Sequence, residues 1–343
     1  MAARPRFTTR LRAGLVTLGL SLALVACGSS ADPEASPPGS SPLRLVTTVA
    51  PLTSIVASVA GDRAVVQGLV PEGTNSHTFE PPPSAARVLA QADVVFLNGL
   101  KLEEPTRELA EENRARRAEI VELGDRAIPP EEHIYDFSFP RSGGKPNPHL
   151  WTDPPLAKRY ARIVADTIAR RDPSNATAYE ANYSRFAETV DALHAAMVAA
   201  TSTLPAERRK LLTYHDAYAY FARDYGWTVI GAIQPSSFDD PTPREVAALI
   251  SQIRREGVPA IFGSEVFPSP VLEQIGRETG VRYVDVLRDD DLPGRPGDPE
   301  HSWFGLMRFN VVTMVESLGG GASALKALSV DQVPGALAAE YPQ

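Results

Sequence analysis

Short apolar runs rich in β-branched residues alternate with amphipathic stretches along most of this chain. The runs predict strands at "LRLVTTV", "AVVQGLV" and "DVVFLNGL" and, after residue 208, at "RKLLTY", "WTVIGAI", "PAIFGSEVF" and "VRYVDVL". The stretches between them predict helices, and such alternation is typical of a parallel sheet covered by helices. We therefore predict an α/β fold with two lobes, at residues 43–171 and 204–343.

A long helical pattern without internal glycine or proline separates the two series of runs. It follows Asp172, a favoured cap residue, and Pro173, which suits a first helical position. A helix over residues 172–203 would be roughly 45 Å long at 1.5 Å per residue. We predict that this helix joins the two lobes as a rigid element.

The amino end has the layout of an export signal over residues 1–27. Four arginines precede the uncharged run "AGLVTLGLSLALV", which is shorter than the roughly 20 apolar residues of a membrane span. The following "LVAC" resembles the lipobox of bacterial lipoproteins, which implies that Cys27 is acylated and anchors the chain on the outer side of the membrane. Residues 28–42 are rich in Ser and Pro and predict a disordered tether.

Charge and cysteine content narrow the possible ligands. The net charge is −8, and removal of the signal with its four arginines takes it to −12, which disfavours nucleic acid as a partner. Cys27 is the only cysteine. A metal site in the rest of the chain must therefore use imidazole and carboxylate groups.

Three of the six histidines fall where an open α/β sheet binds ligands. His77 follows a predicted strand in "NSHTFEPPPS", His149 precedes a predicted helix in "NPHLWTDP", and His215 follows a strand in "LLTYHDAYAYF". A single histidine of this kind is usually a loop or capping residue, but three together favour a site. Asp285 interrupts the apolar strand "VRYVDVL" and is a fourth candidate, with a hydrogen bond to a loop as its alternative role.

These phrases, in this order and with a long helix between the second and the third, resemble the metal-binding lipoproteins that feed zinc and manganese ABC importers. The resemblance covers residues 43 to about 320. It implies a metal ion held between two lobes by His77, His149, His215 and Asp285. Three imidazoles and one carboxylate suit tetrahedral zinc, and a site with no position for water favours carriage over catalysis. We therefore expect no enzymatic activity.

The resemblance also implies the cargo and the partners. Histidine at the third ligand position favours Zn²⁺ as cargo, with manganese or iron as the alternative. A membrane permease and a cytoplasmic ATPase would complete the importer, because the chain has no Walker A pattern of its own. We expect the protein to act as a monomer.

Other functions and other residues stay open from the sequence alone. A surface-anchored zinc hydrolase is the main rival, although H-E-x-x-H and G-x-S-x-G patterns are absent. A carrier of an organic iron or corrin ligand and an adhesin are further alternatives. Glu265 could contact the site or support it, His133 could be a weak auxiliary ligand, and His301 is expected to be a capping or surface residue.

Overall fold

The computed structural model describes residues 41–232, 241–264, 270–329 and 339–342. Within these residues the strands form two four-stranded sheets. The strands of the first sheet are β1 (Leu43–Thr47), β2 (Ala64–Gly68), β3 (Val94–Leu97) and β4 (Glu119–Glu122), and those of the second are β5 (Lys210–Thr213), β6 (Thr228–Ala232), β7 (Ala260–Ser264) and β8 (Arg282–Leu287). The prediction of two sheets is confirmed, but β4 was not predicted.

The two sheets repeat one topology. Every strand pair is parallel, and the strand orders are β2-β1-β3-β4 and β6-β5-β7-β8. In each sheet the second strand along the chain lies at an edge, and the carboxyl ends of all four strands point the same way. Loops that leave these ends can therefore meet at one site.

Helices cover the sheets as the alternation predicts. Their bounds are α1 (Ala50–Ala60), α2 (Ala85–Gln91), α3 (Glu104–Asn113), α4 (Leu123–Ala127), α5 (Pro154–Arg171), α6 (Ala176–Ser202), α7 (Ala219–Tyr225), α8 (Pro243–Glu256), α9 (Pro270–Thr279), α10 (Trp303–Ser317) and α11 (Ser323–Ala327). None of the helices in the described ranges is long and apolar enough to cross a membrane.

The long helix α6 lies inside the range predicted for the linking helix and joins the two lobes. Its buried positions recur at helical spacing, among them Tyr179, Phe186, Val190 and Met197. The Phe186 ring lies 5.1 Å from that of Phe304 on α10, so α6 packs against the carboxyl-terminal lobe. The helix is therefore part of the core and not an isolated rod.

One apolar cluster extends through both lobes. It includes Val56 on α1, Tyr160 on α5 and Met307 on α10, all nearly inaccessible to water. The Trp303 amide also donates to Ser54 Oγ at 2.9 Å, which connects α10 to α1. Residues from Ser41 onward form a compact unit of their own.

Candidate metal site

Three loops bring the predicted histidines together. His77 lies on the loop that follows β2, and His215 lies two residues after the end of β5. His149 immediately precedes a 3₁₀ turn that leads into α5, whose first turn is capped by the Asp153 carboxylate accepting from the Leu156 amide at 3.3 Å. That cap fixes where α5 begins and with it the position of His149.

The Nε2 atoms of the three histidines form a nearly equilateral triangle. The distances are 3.1 Å from His77 to His149, 3.1 Å from His77 to His215, and 2.9 Å from His215 to His149. Among the described residues these three are the group of potential ligands close enough to hold one metal ion. His149 is inaccessible to solvent, His215 is buried and His77 is half-buried.

Hydrogen bonding among the rings alone cannot account for this triangle. A neutral imidazole nitrogen is either a donor or an acceptor, and three such atoms must include at least one pair of the same kind. That pair places two lone pairs or two N–H groups about 3 Å apart, which is unfavourable. A cation that accepts electron density from all three lone pairs removes this conflict, because imidazole is a common metal ligand.

Asn147 selects the tautomer that His149 needs as a ligand. The Asn147 Oδ1 atom lies 2.8 Å from His149 Nδ1 and also accepts from the His149 amide at 3.1 Å. Since the amide oxygen can only accept, Nδ1 carries the proton and Nε2 presents its lone pair to the other two histidines. The Asn147 amide group in turn donates to Asp136 and to the Asp216 carbonyl, which holds it in place.

A carboxylate that the sequence analysis did not select lies next to the triangle. Asp289 Oδ2 is 4.0 Å from His215 Nε2, and the side chain is buried. The other oxygen, Oδ1, accepts from Ser264 Oγ at 3.4 Å, and the Asp289 carbonyl accepts from the indole of Trp151 at 2.9 Å. Asp289 is therefore fixed from two sides, with one oxygen directed towards His215.

Two further aspartates fasten the His77 loop. Asp290 accepts from the Ser76 amide at 3.1 Å, and Asp291 accepts from the Gly73 amide at 2.8 Å. We call residues 289–291 the aspartate turn. It joins the carboxyl-terminal lobe, where it follows β8, to the loop of the amino-terminal lobe that carries His77.

Burial favours the neutral form of each titratable group at the site. It lowers the pKa of His77 and of His149 well below the usual value, and neighbouring imidazoles add to the effect. It lowers the pKa of His215 to about 4, although the nearby Asp290 carboxylate opposes the shift. Burial, together with the charge of Asp291, raises the pKa of Asp289 to about 7. The imidazoles are thus neutral at pH 7, as ligands must be.

The structure does not bring Asp285 to the three histidines. In β8 the side chains of Val284 and Leu287 are buried, whereas Asp285 is exposed and lies outside the histidine cluster. The nearby carboxylate comes instead from Asp289, two residues beyond the end of the strand. The signal in the sequence was the run "RDDDLP", whose three consecutive aspartates follow a strand at its carboxyl end.

The remaining candidates lie away from the triangle or outside the described residues. His301 was expected at the surface but is buried, with Nε2 3.6 Å from Glu72 Oε1, and the cap of α10 is Ser302. His133 is half-buried and does not belong to the cluster. Glu265 and Cys27 lie outside the described residues.

The sequence and the fold are similar to those of known metal-binding proteins. A family model described as zinc-uptake complex component A, periplasmic (ZnuA), matches residues 45–317. The fold resembles the periplasmic zinc-binding protein TroA from Treponema pallidum, with a TM-score of 0.74 and 26% identity over 81% of this chain and 99% of that one.

Two curated relatives align over most of their length. The manganese-binding lipoprotein MntA of Halalkalibacterium halodurans is 27% identical over 87% of this chain and 95% of the relative. The iron-binding protein YfeA of Yersinia pestis is 29% identical over 80% of this chain and 86% of the relative. The relatives are thus named for different metals.

Proposed function

The chain belongs to the zinc-uptake complex component A family of metal-binding, solute-binding proteins of ABC transporters, and we propose from this premise that it captures zinc outside the membrane. Members of this family are solute-binding proteins and not enzymes. The transporter context implies a permease and an ATPase as partners. We propose that this chain delivers its zinc ion to that permease as a monomer.

The observation that carries the metal assignment is the triangle of Nε2 atoms with the Asp289 carboxylate beside it. Four donors at 2.0–2.1 Å from a tetrahedral zinc ion would be about 3.3 Å apart. The three histidines are spaced at 2.9–3.1 Å, so they would need only small shifts. Asp289 Oδ2, at 4.0 Å from His215 Nε2, would have to move towards the three nitrogens to become the fourth donor.

The donor set favours zinc over the other metals in the names of relatives. Three imidazoles and one carboxylate are typical of zinc, whereas manganese prefers carboxylate, carbonyl and water oxygens. Manganese or iron is the second candidate, because relatives of comparable identity are named for these metals. A closed set of four ligands leaves no position for a reactive water, which disfavours a zinc hydrolase.

We further propose that Cys27 is acylated and tethers the mature protein through residues 28–42, leaving lobes at 43–171 and 204–343 joined by the helix of 172–203. The name lipoprotein in several relatives supports this proposal. A lipid anchor would keep the carrier close to its permease on the outer side of the membrane.

Metal uptake by cells tests the zinc assignment more sharply than binding does. Zinc outcompetes manganese at most nitrogen and oxygen sites, so affinity for the purified protein cannot identify the cargo. Deletion of the gene in its own host should lower uptake of radioactive zinc at nanomolar supply and leave manganese uptake unchanged. Restoration by the wild-type gene but not by a His149→Ala variant would tie the effect to the site, and loss of manganese uptake alone would contradict it.

As the pH falls, protonation of the Asp289 carboxylate should weaken zinc binding before protonation of the imidazoles does. Because the pKa of Asp289 is raised to about 7, zinc must displace a proton from it below that pH, and affinity should fall about tenfold per pH unit between about 7 and 5. The lowered pKa of His215, about 4, keeps its nitrogen available over this range. Competition titrations from pH 5 to 8 would measure the slope. A flat profile down to pH 5 would contradict the role of Asp289.

A further inference from the structure

The carboxyl end of the chain returns to the amino-terminal lobe. Residues 339–342, which we call the C-terminal strap, lie beside β2, the edge strand of the first sheet. The Glu340 amide donates to the Val66 carbonyl at 2.9 Å, and the Glu340 carbonyl accepts from the Gly68 amide at 2.9 Å. The strap thus extends the sheet by one short parallel bridge. Both hydrogen bonds at Glu340 are formed by its backbone N–H and C=O groups.

The strap then contacts the loop that carries His77. The Pro342 carbonyl accepts from the Glu72 amide at 3.2 Å. The Tyr341 ring meets the buried His301 ring edge to face, with 4.7 Å between centroids, and His301 Nε2 lies 3.6 Å from Glu72 Oε1. Backbone and side chains of the strap therefore converge on Glu72, five residues before His77.

The aspartate turn holds the same loop from the other lobe. The Gly73 and Ser76 amides donate to Asp291 and Asp290, and Glu72 Oε1 accepts from the Leu292 amide at 3.4 Å. Residues 71–77 are consequently fixed between the strap and the aspartate turn. His77 is the least buried of the three clustered histidines, so the loop that carries it is the side of the site nearest to solvent.

We propose that the C-terminal strap is a positioning element that holds the His77 loop closed and thereby sets the rate of metal release. This inference rests on the proposed function. The strap contacts described above lie at β2 and Glu72, so its effect is on the opening of the loop. Opening breaks the hydrogen bond that the Glu72 amide donates to Pro342 and disturbs the Tyr341–His301 contact beside Glu72. The loss of one or two such interactions corresponds to about a five- to thirtyfold change in rate. A permease that displaced the strap would accelerate release by the same route.

A proline at position 340 tests the strap through its backbone. Glu340→Pro removes the N–H that donates to Val66, whereas Glu340→Ala keeps that N–H and removes only an exposed side chain. With the body that begins at Ser41 loaded with zinc, we expect release into excess chelator to be about five- to thirtyfold faster in Glu340→Pro and within twofold of wild type in Glu340→Ala. Stopped-flow fluorescence of a chelating dye gives the rate.

Hydrogen exchange and a second pair of variants separate positioning from a general loss of stability. Exchange of the Glu72 amide should accelerate in Glu340→Pro, while the melting temperature of the metal-free protein changes little. If the proline variant fails to fold, Tyr341→Ala should still release zinc faster, and Tyr341→Phe, which keeps the ring, should not. Equal release rates in all variants would overturn the inference, whereas a wild-type body that binds no zinc would overturn the proposed function instead.

Discussion

Replacing His149 with alanine should weaken zinc binding by roughly a hundred- to thousandfold. His149 is fully buried, and its Nε2 lies within 3.1 Å of both other ligand nitrogens, so no solvent-exposed group can take its place. The free energy of zinc binding at four-ligand sites is about 10–16 kcal/mol. If each ligand contributes a quarter of it, the loss of one ligand lowers the affinity roughly a hundred- to thousandfold. Metal analysis of the purified body, followed by competition with a chelator of known affinity, would measure the loss.

A histidine outside the site provides the matched control. His194 lies on α6, where its Nδ1 is 2.7 Å from the Tyr225 hydroxyl, and it does not belong to the cluster. His194→Ala should retain one zinc ion per chain with wild-type affinity. Wild-type affinity in His149→Ala would refute the site, and an equal loss of affinity in both variants would indicate damage to the fold and not the loss of a ligand.

The sequence predicted the fold because the strands carry enough apolar residues to be recognised one by one. Seven of the eight strands lie in runs such as "AVVQGLV" and "PAIFGSEVF", and the helices between them have clear amphipathic spacing. Strand β4 was missed because "EIVE" has two apolar residues between two charged ones. Such a short edge strand is identified by its pairing with β3, which is a tertiary contact and leaves no periodic signal.

The clustering of the three histidines could be expected from the sequence, whereas the position of the nearby carboxylate could not. His77, His149 and His215 lie on loops next to predicted strands and helices, where an open α/β sheet binds ligands. Three histidines at such positions favour a binding site over three unrelated loop residues. Asp285 was chosen because it interrupts an apolar strand, but that argument assumes that both faces of β8 are buried. In the structure both Asp285 and Val286 of β8 are exposed, so a charge at Asp285 costs little and by itself indicates no function.

The contacts between the lobes explain why a rigid linking helix is compatible with metal exchange. Helix α6 and the shared core hold the lobes together, and the aspartate turn adds hydrogen bonds across to the His77 loop. Large rotation of whole lobes would break this core, whereas movement of residues 71–77 would break only a few hydrogen bonds. Loop movement is therefore the less costly way to open the site.

The Asp289→Asn and Asp285→Asn variants should differ sharply in zinc binding. Asp289 is buried beside His215, so loss of its charge should weaken zinc binding by roughly a hundred- to thousandfold. Asp285 is exposed on β8, and its replacement should leave affinity within about twofold. The two substitutions make the same chemical change four residues apart, and competition titrations at pH 7.5 would compare them directly.

Thermal unfolding without metal would show that Asp289→Asn acts on the site and not on the fold. The folded-state pKa of Asp289 is raised to about 7, above its unfolded value, so its contribution to stability is lost as pH rises through about 7. Asparagine has no charge to bury, and the metal-free variant should be at least as stable as wild type at pH 8. A variant that is stable without metal and binds zinc weakly would establish Asp289 as a ligand. Wild-type affinity in Asp289→Asn, with loss in Asp285→Asn, would restore the assignment made from the sequence.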